Sequence, residues 1–383
     1  MNISTKKILF LITEDWFFCS HFLQRALSAK QNGFKIIVCS NQNKHKDFIE
    51  NNGLIFKKVG FNRKSMNPLN ELKILIEIYF IYRYLKPEIV HHIAAKPIIY
   101  GSICARLNNI KSVINAPTGL GYVFSSNSIK ALILRPIVKF LYKLMLNSHK
   151  GKDLRNKVIF ENYDDLEFFL KMKAICRKDS CVIRGAGIEI NHDLIKQKIV
   201  NKKPVVTFLA RMLKDKGIFE FISAVKKLKM KNIEANFLLA GDIDPQNPSS
   251  INISYLKKWN KEKTITWLGW VEDVKELLRK TDILCLPSYR EGLPKALLEG
   301  AAMGIPIVTT NAVGCRDVVQ NGLNGFLVPI KDDEKLSEAL EKLILNKKLR
   351  KKMGDASLKV IKDKFESSII ISQTLKIYEE MES

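Results

Sequence analysis

Residues 283–310 read ILCLPSYREGLPKALLEGAAMGIPIVTT. The run ILCL is short and wholly apolar, as in a buried strand, and IPIVTT has the same character. Between them, the apolar run from Ala296 to Met303 predicts a helix, with Pro294 in its first turn. A strand, a helix and a second strand in this order are typical of a parallel sheet whose helices lie on its faces.

The same alternation of apolar runs and helical segments occurs in both halves of the chain. KILFLIT, FKIIVCS and EIVHHIA predict strands in the first half, and VVTFLAR and ANFLLAG predict further strands in the second. We therefore expect an α/β protein with two Rossmann-like domains, whose sites lie at the carboxyl ends of the strands. The polar segment 191–203 is the predicted linker between a domain at 1–190 and a domain at 204–364.

Two glutamates, Glu291 and Glu299, flank the predicted start of the helix. Glu291 falls in the loop before the helix, and Glu299 falls about one and a half turns into it. The N-terminus of a helix offers N–H groups and a partial positive charge to a diphosphate. Carboxylates beside it suit hydroxyl groups, because each can accept several hydrogen bonds. Phosphate and hydroxyl groups together describe a nucleotide sugar.

Two cations lie on another predicted strand-to-helix loop. Arg211 ends the buried run PVVTFLAR, and Lys216 follows five residues later, just before Gly217. Together they could neutralise a pyrophosphate leaving group. The alternative for Lys216 is an ordinary solvated lysine of the loop. For Arg211 that alternative is weaker, because a charge that ends a buried strand usually has a partner.

These two motifs resemble those of the retaining glycosyltransferases of family GT4, which have the GT-B fold. The matching patterns are Arg211-x4-Lys216 and Glu291-x7-Glu299. Within this family, TGLGYVF at 118–124 and LPSYREGLPKALLE at 286–299 resemble bacterial N-acetylgalactosaminyltransferases that act on undecaprenyl-diphosphate-linked sugars. The resemblance covers essentially the whole chain and implies two Rossmann-like domains facing across a cleft. It also implies a last helix, at 365–383, that packs back on the first domain.

The resemblance implies a role for each donor-site residue. Arg211 and Lys216 would hold the donor phosphates and serve catalysis together with Glu291. Glu291 would contact hydroxyls of the transferred sugar, and Glu299 would hold the ribose hydroxyls.

Backbone groups complete the implied donor site. Gly292, Leu293 and Pro294 would approach the sugar and the phosphate. Gly269, Trp270 and Val271, in the loop after the strand in TITWLGW, would lie near the uracil.

The implied reaction is retaining transfer of a sugar, best assigned as GalNAc, from a UDP-sugar to an undecaprenyl-diphosphate-linked saccharide. Other donors, namely UDP-Gal, UDP-GlcNAc and an N-acetylfucosamine nucleotide, stay open. So do a GT-B sugar-nucleotide epimerase and a basic membrane-binding protein without catalysis. No metal or other cofactor is expected, because Asp242 and Asp244 precede Pro245 and suit a turn better than a metal-binding DxD motif.

The first domain is expected to bind the acceptor through loops at its strand ends. The candidates are Glu14, His21, His92, Lys96, Thr118 and Gly119, and in the last loop Gly121 also permits close backbone approach. For each histidine, a packed or solvated structural role is the alternative.

The chain is strongly basic, with a formal net charge of +24. Residues 1–200 contain 32 basic and 15 acidic residues, and no acidic residue lies between Glu88 and Asp153. In this gap Arg135, Lys139 and Lys143 recur every four residues among large apolar residues, as in a helix at an anionic membrane surface. An ordinary core helix with solvated lysines is the alternative.

Further sequence features bear on partners and location. No helix-turn-helix, zinc-binding spacing or aromatic RNA-binding signature accompanies the charge, so nucleic acid is not an expected partner. Pro136 is expected to begin or break the basic helix rather than lie inside it.

The seven cysteines form no CxxC pair and suit reduced core thiols. With no secretory signal and no apolar run of membrane-spanning length, we expect a peripheral protein on the cytoplasmic face of the bacterial inner membrane.

Overall fold

The computed structural model describes residues 6–62, 67–120, 122–125, 129–147 and 154–382. These residues divide into two compact units, one within Met1–Ala186 and Ser368–Ser383 and the other within Gly187–Ser367. Each unit contains one sheet in which all paired strands are parallel. The alternation of strands and helices read from the sequence is confirmed.

In the described part of the first unit, seven strands are ordered β3-β2-β1-β4-β5-β6-β7. They are β1 Lys7–Glu14, β2 Lys35–Asn41, β3 Ile55–Lys58, β4 Ile89–Ile93, β5 Ser112–Ala116, β6 Arg155–Phe160 and β7 Ser180–Val182. The helices are α1 Asp15–His21, α2 Leu23–Gln31, α3 Lys46–Asn51, α4 Pro68–Leu85, α5 Ala95–Leu107, α6 Tyr122–Ser125, α7 Ile129–Asn147 and α8 Tyr163–Lys171. A 3-10 turn spans Arg177–Asp179.

The last helix of the chain, α17 at Ser367–Glu382, lies almost wholly in the first unit. The hydroxyl of Tyr378 lies 3.0 Å from Nδ1 of His91. Both side chains are buried, and the ring of Tyr378 packs edge-on against Phe10 of β1. The helix is therefore anchored in the core of this unit by aromatic packing and by polar contacts, among them the bond from the hydroxyl of Ser112 to the carbonyl of Met381 at 2.7 Å.

In the described part of the second unit, six strands are ordered β10-β9-β8-β11-β12-β13. They are β8 Val205–Leu209, β9 Asn236–Ala240, β10 Thr266–Gly269, β11 Ile283–Leu286, β12 Ile307–Thr310 and β13 Gly325–Val328. The helices are α9 His192–Lys196, α10 Ile218–Met230, α11 Ile253–Lys261, α12 Val274–Arg279, α13 Lys295–Ala302, α14 Cys315–Val318, α15 Asp333–Leu345 and α16 Lys347–Lys364. A 3-10 turn spans Lys214–Lys216.

The predicted linker, residues 191–203, lies inside the second unit. The side chain of Asn191 caps α9 by accepting bonds from the amides of Asp193 and Leu194. Asn201 donates to Asp282 at 2.8 Å, and the amide of Ile199 donates to the carbonyl of Arg279. The polar side chains that suggested a linker therefore serve as a cap and as anchors, and the units divide between Ala186 and Gly187.

Two details of helix geometry correct the sequence reading. Pro136 lies inside α7 instead of at its end. Its side chain is exposed, so the helix carbonyl that proline leaves without an N–H partner lies on a face that water can reach. Pro294 is the N-cap of α13, one position before its first turn, and having no N–H it cannot serve as one of the predicted amide donors.

Each sheet has one point where the strand order reverses. In the first unit it lies between β1 and β4, and in the second between β8 and β11. Neighbouring strands there send their following helices to opposite faces of the sheet, which opens a crevice at the carboxyl edge. The loops after β8 and β11 carry Arg211, Lys216 and Glu291, so the predicted donor residues surround the reversal point of the second sheet.

Candidate functional site

The loops after β8 and β11 are held together by their backbones. The amide of Tyr289 donates to the carbonyl of Asp215 at 2.8 Å, and the hydroxyl of Ser288 donates to the same oxygen at 3.1 Å. Gly217 has φ +75°, and a Cβ built on it would lie 2.0 Å from the carbonyl oxygen of Pro287. Glycine at this position therefore permits the close approach of the two loops.

A third segment supports the loop after β11 from its other side. The amide of Glu291 donates to the carbonyl of Val313 at 3.0 Å. Gly314 has φ +79°, and a Cβ there would lie 2.6 Å from the carbonyl oxygen of Gly292. The backbone around Glu291 is thus fixed by the segment that follows β12, and its side chain has a defined direction.

Lys216 and Glu291 form an ion pair at the meeting point of the two loops. Nζ of Lys216 lies 2.5 Å from Oε1 and 2.7 Å from Oε2 of Glu291. The side chains are 14% and 12% exposed, so neither charge is well solvated. Each group compensates the other, because a charge this deeply placed is costly without a partner. The structure therefore brings Lys216, the residue predicted to bind phosphate, into direct contact with Glu291, the residue predicted to bind the sugar.

Arg211 pairs with a residue that the sequence did not assign to the site. Its Nη1 donates to Oδ2 of Asp244 at 2.6 Å, with the side chains 38% and 12% exposed. Asp244 lies in the loop after β9, and β9 pairs with β8, so both loops emerge at the same edge of the sheet. The sequence signal for Asp244 was the Asp242-Ile-Asp244 turn, which the sequence analysis interpreted only as a turn and not as part of the site.

Glu299 lies on the second turn of α13, as expected. Its carboxylate is 3.2 Å from Nζ of Lys295, one turn earlier on the same helix. The side chain is half-buried, as are Gly292 and Glu291 before the helix, whereas Leu293 is buried. Glu299 is thus partly accessible beside the N-terminus of the helix, where a hydroxyl-bearing ligand could be received.

The end of β10 and the loop after it contain the predicted uracil contacts, Gly269, Trp270 and Val271. Gly269 has φ +65° and its carbonyl accepts the amide of Gly241 at 2.8 Å, which ties this loop to the end of β9. Trp270 is exposed and Val271 is half-buried. An exposed indole at this edge offers an aromatic face to a base.

One buried thiol, that of Cys315, interacts electrostatically with both members of the Lys216–Glu291 pair. Cys315 is fully buried, and burial raises its pKa to about 12, with the charge of Glu291 adding to the effect. A thiol with this pKa stays protonated and is a poor nucleophile. All seven cysteines are free, and those at 39, 104, 285 and 315 are buried, which agrees with their reading as core thiols.

The described residues contain no cluster of three His, Cys, Asp or Glu side chains that would suit a metal ion. In the Asp242-Ile-Asp244 sequence, Asp242 accepts the amide of Ile243 at 2.7 Å, while Asp244 binds Arg211. The two carboxylates thus make separate contacts within the protein.

The acceptor candidates of the first unit divide into buried and partly exposed groups. His92 is fully buried, with Nε2 3.0 Å from the hydroxyl of Tyr82 and Nδ1 3.0 Å from Oδ1 of Asn115. Burial therefore argues against contact between His92 and an acceptor. It favours the alternative given for each histidine, a structural role within the packed protein. Glu14 is also buried and accepts a bond from the side chain of Asn43 at 3.0 Å.

The other candidates are more accessible. Lys96 is paired with Glu71 at 2.7 Å and donates to the carbonyl of Asn62. His21 is half-buried against Phe17, with Nδ1 2.6 Å from the hydroxyl of Ser20. Thr118 and Gly119 are half-buried in the loop after β5, where Gly119 has φ +81°.

Gly121 lies outside the described residues. Two candidates of the first unit lie at the point where the strand order of its sheet reverses. Glu14 is the last residue of β1, and Lys96 follows the end of β4.

The helix predicted to meet a membrane has a large exposed apolar stripe. The exposed large apolar residues of α7 are Ile129, Leu132, Ile133, Ile137, Phe140 and Leu144. Among the predicted cations, Lys143 is exposed, Lys139 lies 5.9 Å from the ring centre of Phe168, and Arg135 donates to the carbonyl of Val123. No helix within the described residues combines the length and the apolar character needed to cross a bilayer.

Two family models match the chain. The model described as "Glycosyl transferase 4-like" matches residues 7–150, and the one described as "Glycosyl transferases group 1" matches residues 190–360. The chain is 28% identical over 373 residues to the N,N'-diacetylbacillosaminyl-diphospho-undecaprenol alpha-1,3-N-acetylgalactosaminyltransferase of Campylobacter jejuni, covering 94% of this chain and 95% of that protein. It is also 28% identical over 296 residues to the UDP-Gal:alpha-D-GlcNAc-diphosphoundecaprenol alpha-1,3-galactosyltransferase of Escherichia coli, covering 75% and 74%.

Solved structures support the same fold. A glycosyltransferase from Rickettsia africae superposes with a TM-score of 0.77 at 20% identity, covering 99% of each chain. The Anabaena protein Alr3699/HepE, solved in complex with UDP, superposes with a TM-score of 0.75 at 16% identity, covering 98% of this chain and 100% of that one. These likenesses and the two parallel sheets show the GT-B fold, and the two family models, which together match residues 7–150 and 190–360, identify the chain as a glycosyltransferase of family GT4.

Proposed function

We propose that this enzyme transfers a sugar from a UDP-sugar to an undecaprenyl-diphosphate-linked saccharide, with retention of configuration at C1. The observation that carries the proposal is the arrangement of Arg211, Lys216 and Glu291 around the reversal point of the second sheet. Two cations suit a diphosphate, and a carboxylate in contact with one of them suits the hydroxyls of an attached sugar. The names of the relatives in Campylobacter jejuni and Escherichia coli support the acceptor class.

Donor binding would exchange partners in the Lys216–Glu291 pair. A donor phosphate would take the ammonium group of Lys216, and sugar hydroxyls would donate to the carboxylate of Glu291. Both groups keep a partner in the exchange, so neither buried charge is left uncompensated. Arg211 would contact the same diphosphate, and Glu299 would accept bonds from the ribose hydroxyls.

In the reaction, the bond between C1 and the diphosphate oxygen breaks, and a bond between C1 and the acceptor oxygen forms on the same face of the sugar. The proton of the acceptor hydroxyl passes to the departing phosphate oxygen. Lys216 and Arg211 would stabilise the negative charge that develops on the diphosphate as C1 gains oxocarbenium character. This route uses no separate protein base and no metal.

The preferred donor in this proposal is UDP-GalNAc. The N-acetylgalactosaminyltransferase relative is matched over more of both chains than the galactosyltransferase relative, at the same identity. UDP-Gal is therefore the second candidate, followed by UDP-GlcNAc and an N-acetylfucosamine nucleotide.

The test of this proposal is transfer from a panel of UDP- and GDP-sugars to undecaprenyl-diphosphate-linked monosaccharides, read by mass spectrometry. We expect an N-acetylhexosamine increment with UDP-GalNAc, and an α-linkage by NMR of the product. An increment from another donor would keep the reaction and replace the sugar. Free sugar released without acceptor would favour an epimerase, and absence of UDP binding would favour a membrane-binding protein without catalysis.

We further propose that the first unit acts at an anionic membrane surface, where the lipid-linked acceptor resides. The exposed apolar stripe of α7 is joined by one on α4, formed by Leu69, Leu72, Ile76, Phe80 and Tyr84. Helix α5 packs against both α4 and α7, so the two stripes belong to one helical layer. Exposed apolar area of this extent marks an interaction surface, and the basic surplus of the first 200 residues favours anionic lipid over another protein.

Polar substitution of this layer is expected to weaken membrane binding. Ile137→Gln with Phe140→Gln should reduce co-sedimentation with vesicles of phosphatidylglycerol and phosphatidylethanolamine several-fold, because both side chains are exposed on α7. Leu345→Gln, at an exposed apolar position of the second unit, is the matched control and should bind as the parent does. Equal binding by all three proteins would contradict the proposal.

A further inference from the structure

Asp244 is in close contact with Arg211, the arginine proposed to bind the donor diphosphate. Its Oδ2 accepts a bond from Nη1 of Arg211 at 2.6 Å. The carboxylate is much less exposed than the guanidinium, so its position depends on the protein more than on solvent. This contact is not explained by the chemistry of the turn that Asp244 occupies.

The carboxylate of Asp244 is itself fixed in place. Its Oδ1 accepts the amide of Gln246 at 3.1 Å, and its own amide donates to the hydroxyl of Ser250 at 3.1 Å. One oxygen is thus bound to the loop and the other to Arg211. A carboxylate restrained at both oxygens defines where the guanidinium can lie.

The loop that carries Asp244 is also fastened to the segment that follows Arg211. The amide of Met212 donates to the carbonyl of Asp242 at 2.9 Å, and the amide of Lys214 donates to the carbonyl of Ser249 at 2.8 Å. Leu213 and Ser250 form an antiparallel bridge. The arginine and its carboxylate therefore stand on two backbones that are bonded to each other, so their separation is set by the fold.

We infer that Asp244 is a positioning residue for donor binding, which holds Arg211 in the orientation that meets the diphosphate. This inference rests on the proposed role of Arg211. An arginine has five N–H donors in a planar fork, so one bound through Nη1 to a carboxylate retains donors for a phosphate. Fixing the side chain before the ligand arrives removes the ordering cost from the binding step.

The sign of the effect separates this inference from simple electrostatics. A carboxylate near a diphosphate repels it, so if charge alone mattered, Asp244→Asn would bind UDP more tightly. If Asp244 orients Arg211, the same substitution weakens UDP binding, since the amide is a poorer acceptor for a guanidinium than a carboxylate. We expect the dissociation constant for UDP to rise about tenfold.

The matched control is Asp242→Asn. Asp242 lies two residues earlier in the same loop, is exposed, and binds the adjacent amide of Ile243. The substitution Asp242→Asn removes the same charge from the same loop, and it should change the dissociation constant for UDP less than twofold. Calorimetric titration with UDP measures both variants, and their melting temperatures show whether each is folded.

A double-mutant cycle with Arg211→Ala distinguishes positioning from a structural role of the loop. If Asp244 acts through Arg211, Asp244→Asn does not weaken UDP binding further once Arg211 is alanine. If Asp244 only maintains the loop, the substitution weakens binding equally in both backgrounds, and the inference is wrong. Should Asp244→Asn not fold, Asp244→Ser serves in the same cycle, because its hydroxyl can still accept the amide of Gln246.

The cycle also separates this inference from the proposed function. Normal UDP binding by Arg211→Ala would overturn the donor role of Arg211 and the inference with it. Weak binding by Arg211→Ala together with normal or tighter binding by Asp244→Asn would overturn the inference and leave the proposed function standing.

Discussion

Replacing Lys216 by alanine is expected to reduce turnover about 100- to 1000-fold, the usual cost of losing one group that stabilises charge in a transition state. Lys216 would act on the departing diphosphate, where negative charge develops as C1 separates from it. The substitution also leaves the carboxylate of Glu291, 12% exposed, without its partner at 2.5 Å. We therefore expect the free energy of unfolding to fall by roughly 1–3 kcal/mol as well.

The two effects can be separated by measuring turnover far below the melting temperature of each variant. Lys214→Ala is the matched control, because Lys214 lies in the same 3-10 turn, is exposed, and carries the same charge. It should keep normal turnover. The double variant Lys216→Met with Glu291→Gln removes both charges and should recover stability without recovering turnover. Turnover within threefold of the parent in Lys216→Ala would contradict the donor-site assignment.

Replacing Gly217 by alanine is expected to disable the site without removing any group that would touch the donor. The methyl group would require φ +75° at an L-residue and would lie 2.0 Å from the carbonyl oxygen of Pro287. The left-handed conformation alone costs about 1–2 kcal/mol, and moving the opposing backbone adds about 1–3 kcal/mol. Because the two loops carry Lys216 and Glu291, separating them by about 1 Å should lower turnover about 100-fold.

Gly322→Ala isolates the close approach from the backbone strain. Gly322 has φ +79°, and a Cβ built there meets nothing within 4 Å. Chemical denaturation should show a loss of about 1–2 kcal/mol in this control and a larger loss in Gly217→Ala, with turnover reduced in Gly217→Ala alone. Equal losses of stability in the two variants would mean that the contact with Pro287 contributes nothing.

Much of the fold could be predicted because the central strands are buried on both faces. Runs such as KILFLIT, FKIIVCS and VVTFLAR are continuous and apolar, and they became β1, β2 and β8. The outer strands are different. β7 at Ser180–Val182 is half-buried and three residues long, and β3 at Ile55–Lys58 ends in two exposed lysines. Such segments have no apolar run to recognise, so they became strands through pairing with their neighbours and were not identified from the sequence.

The candidate site was partly predictable for a different reason. Residue types and spacing placed Arg211, Lys216 and Glu291 at the ends of strands, and parallel strands bring those ends to one edge. Spacing could not indicate that Lys216 and Glu291, 75 residues apart, touch each other, nor that Asp244 binds Arg211. These contacts depend on the strand order β9-β8-β11, which follows from long-range pairing. Burial of His92 was likewise invisible, because His91 and His92 point to opposite faces of the sheet and both faces are covered, so that both side chains are buried.

The ion pair between Lys216 and Glu291 has a consequence for product release. On the proposed assignments, the intact UDP-sugar is the ligand that supplies both an anion for the lysine and hydroxyl donors for the carboxylate. Once the sugar has left, UDP alone would have to hold Lys216 while Glu291, largely shielded from water, lost its partner. The pair would then re-form and help to expel the nucleotide. UDP should therefore bind more weakly than the intact donor, and competition between UDP and the donor sugar nucleotide measures the difference, which should disappear in Glu291→Gln.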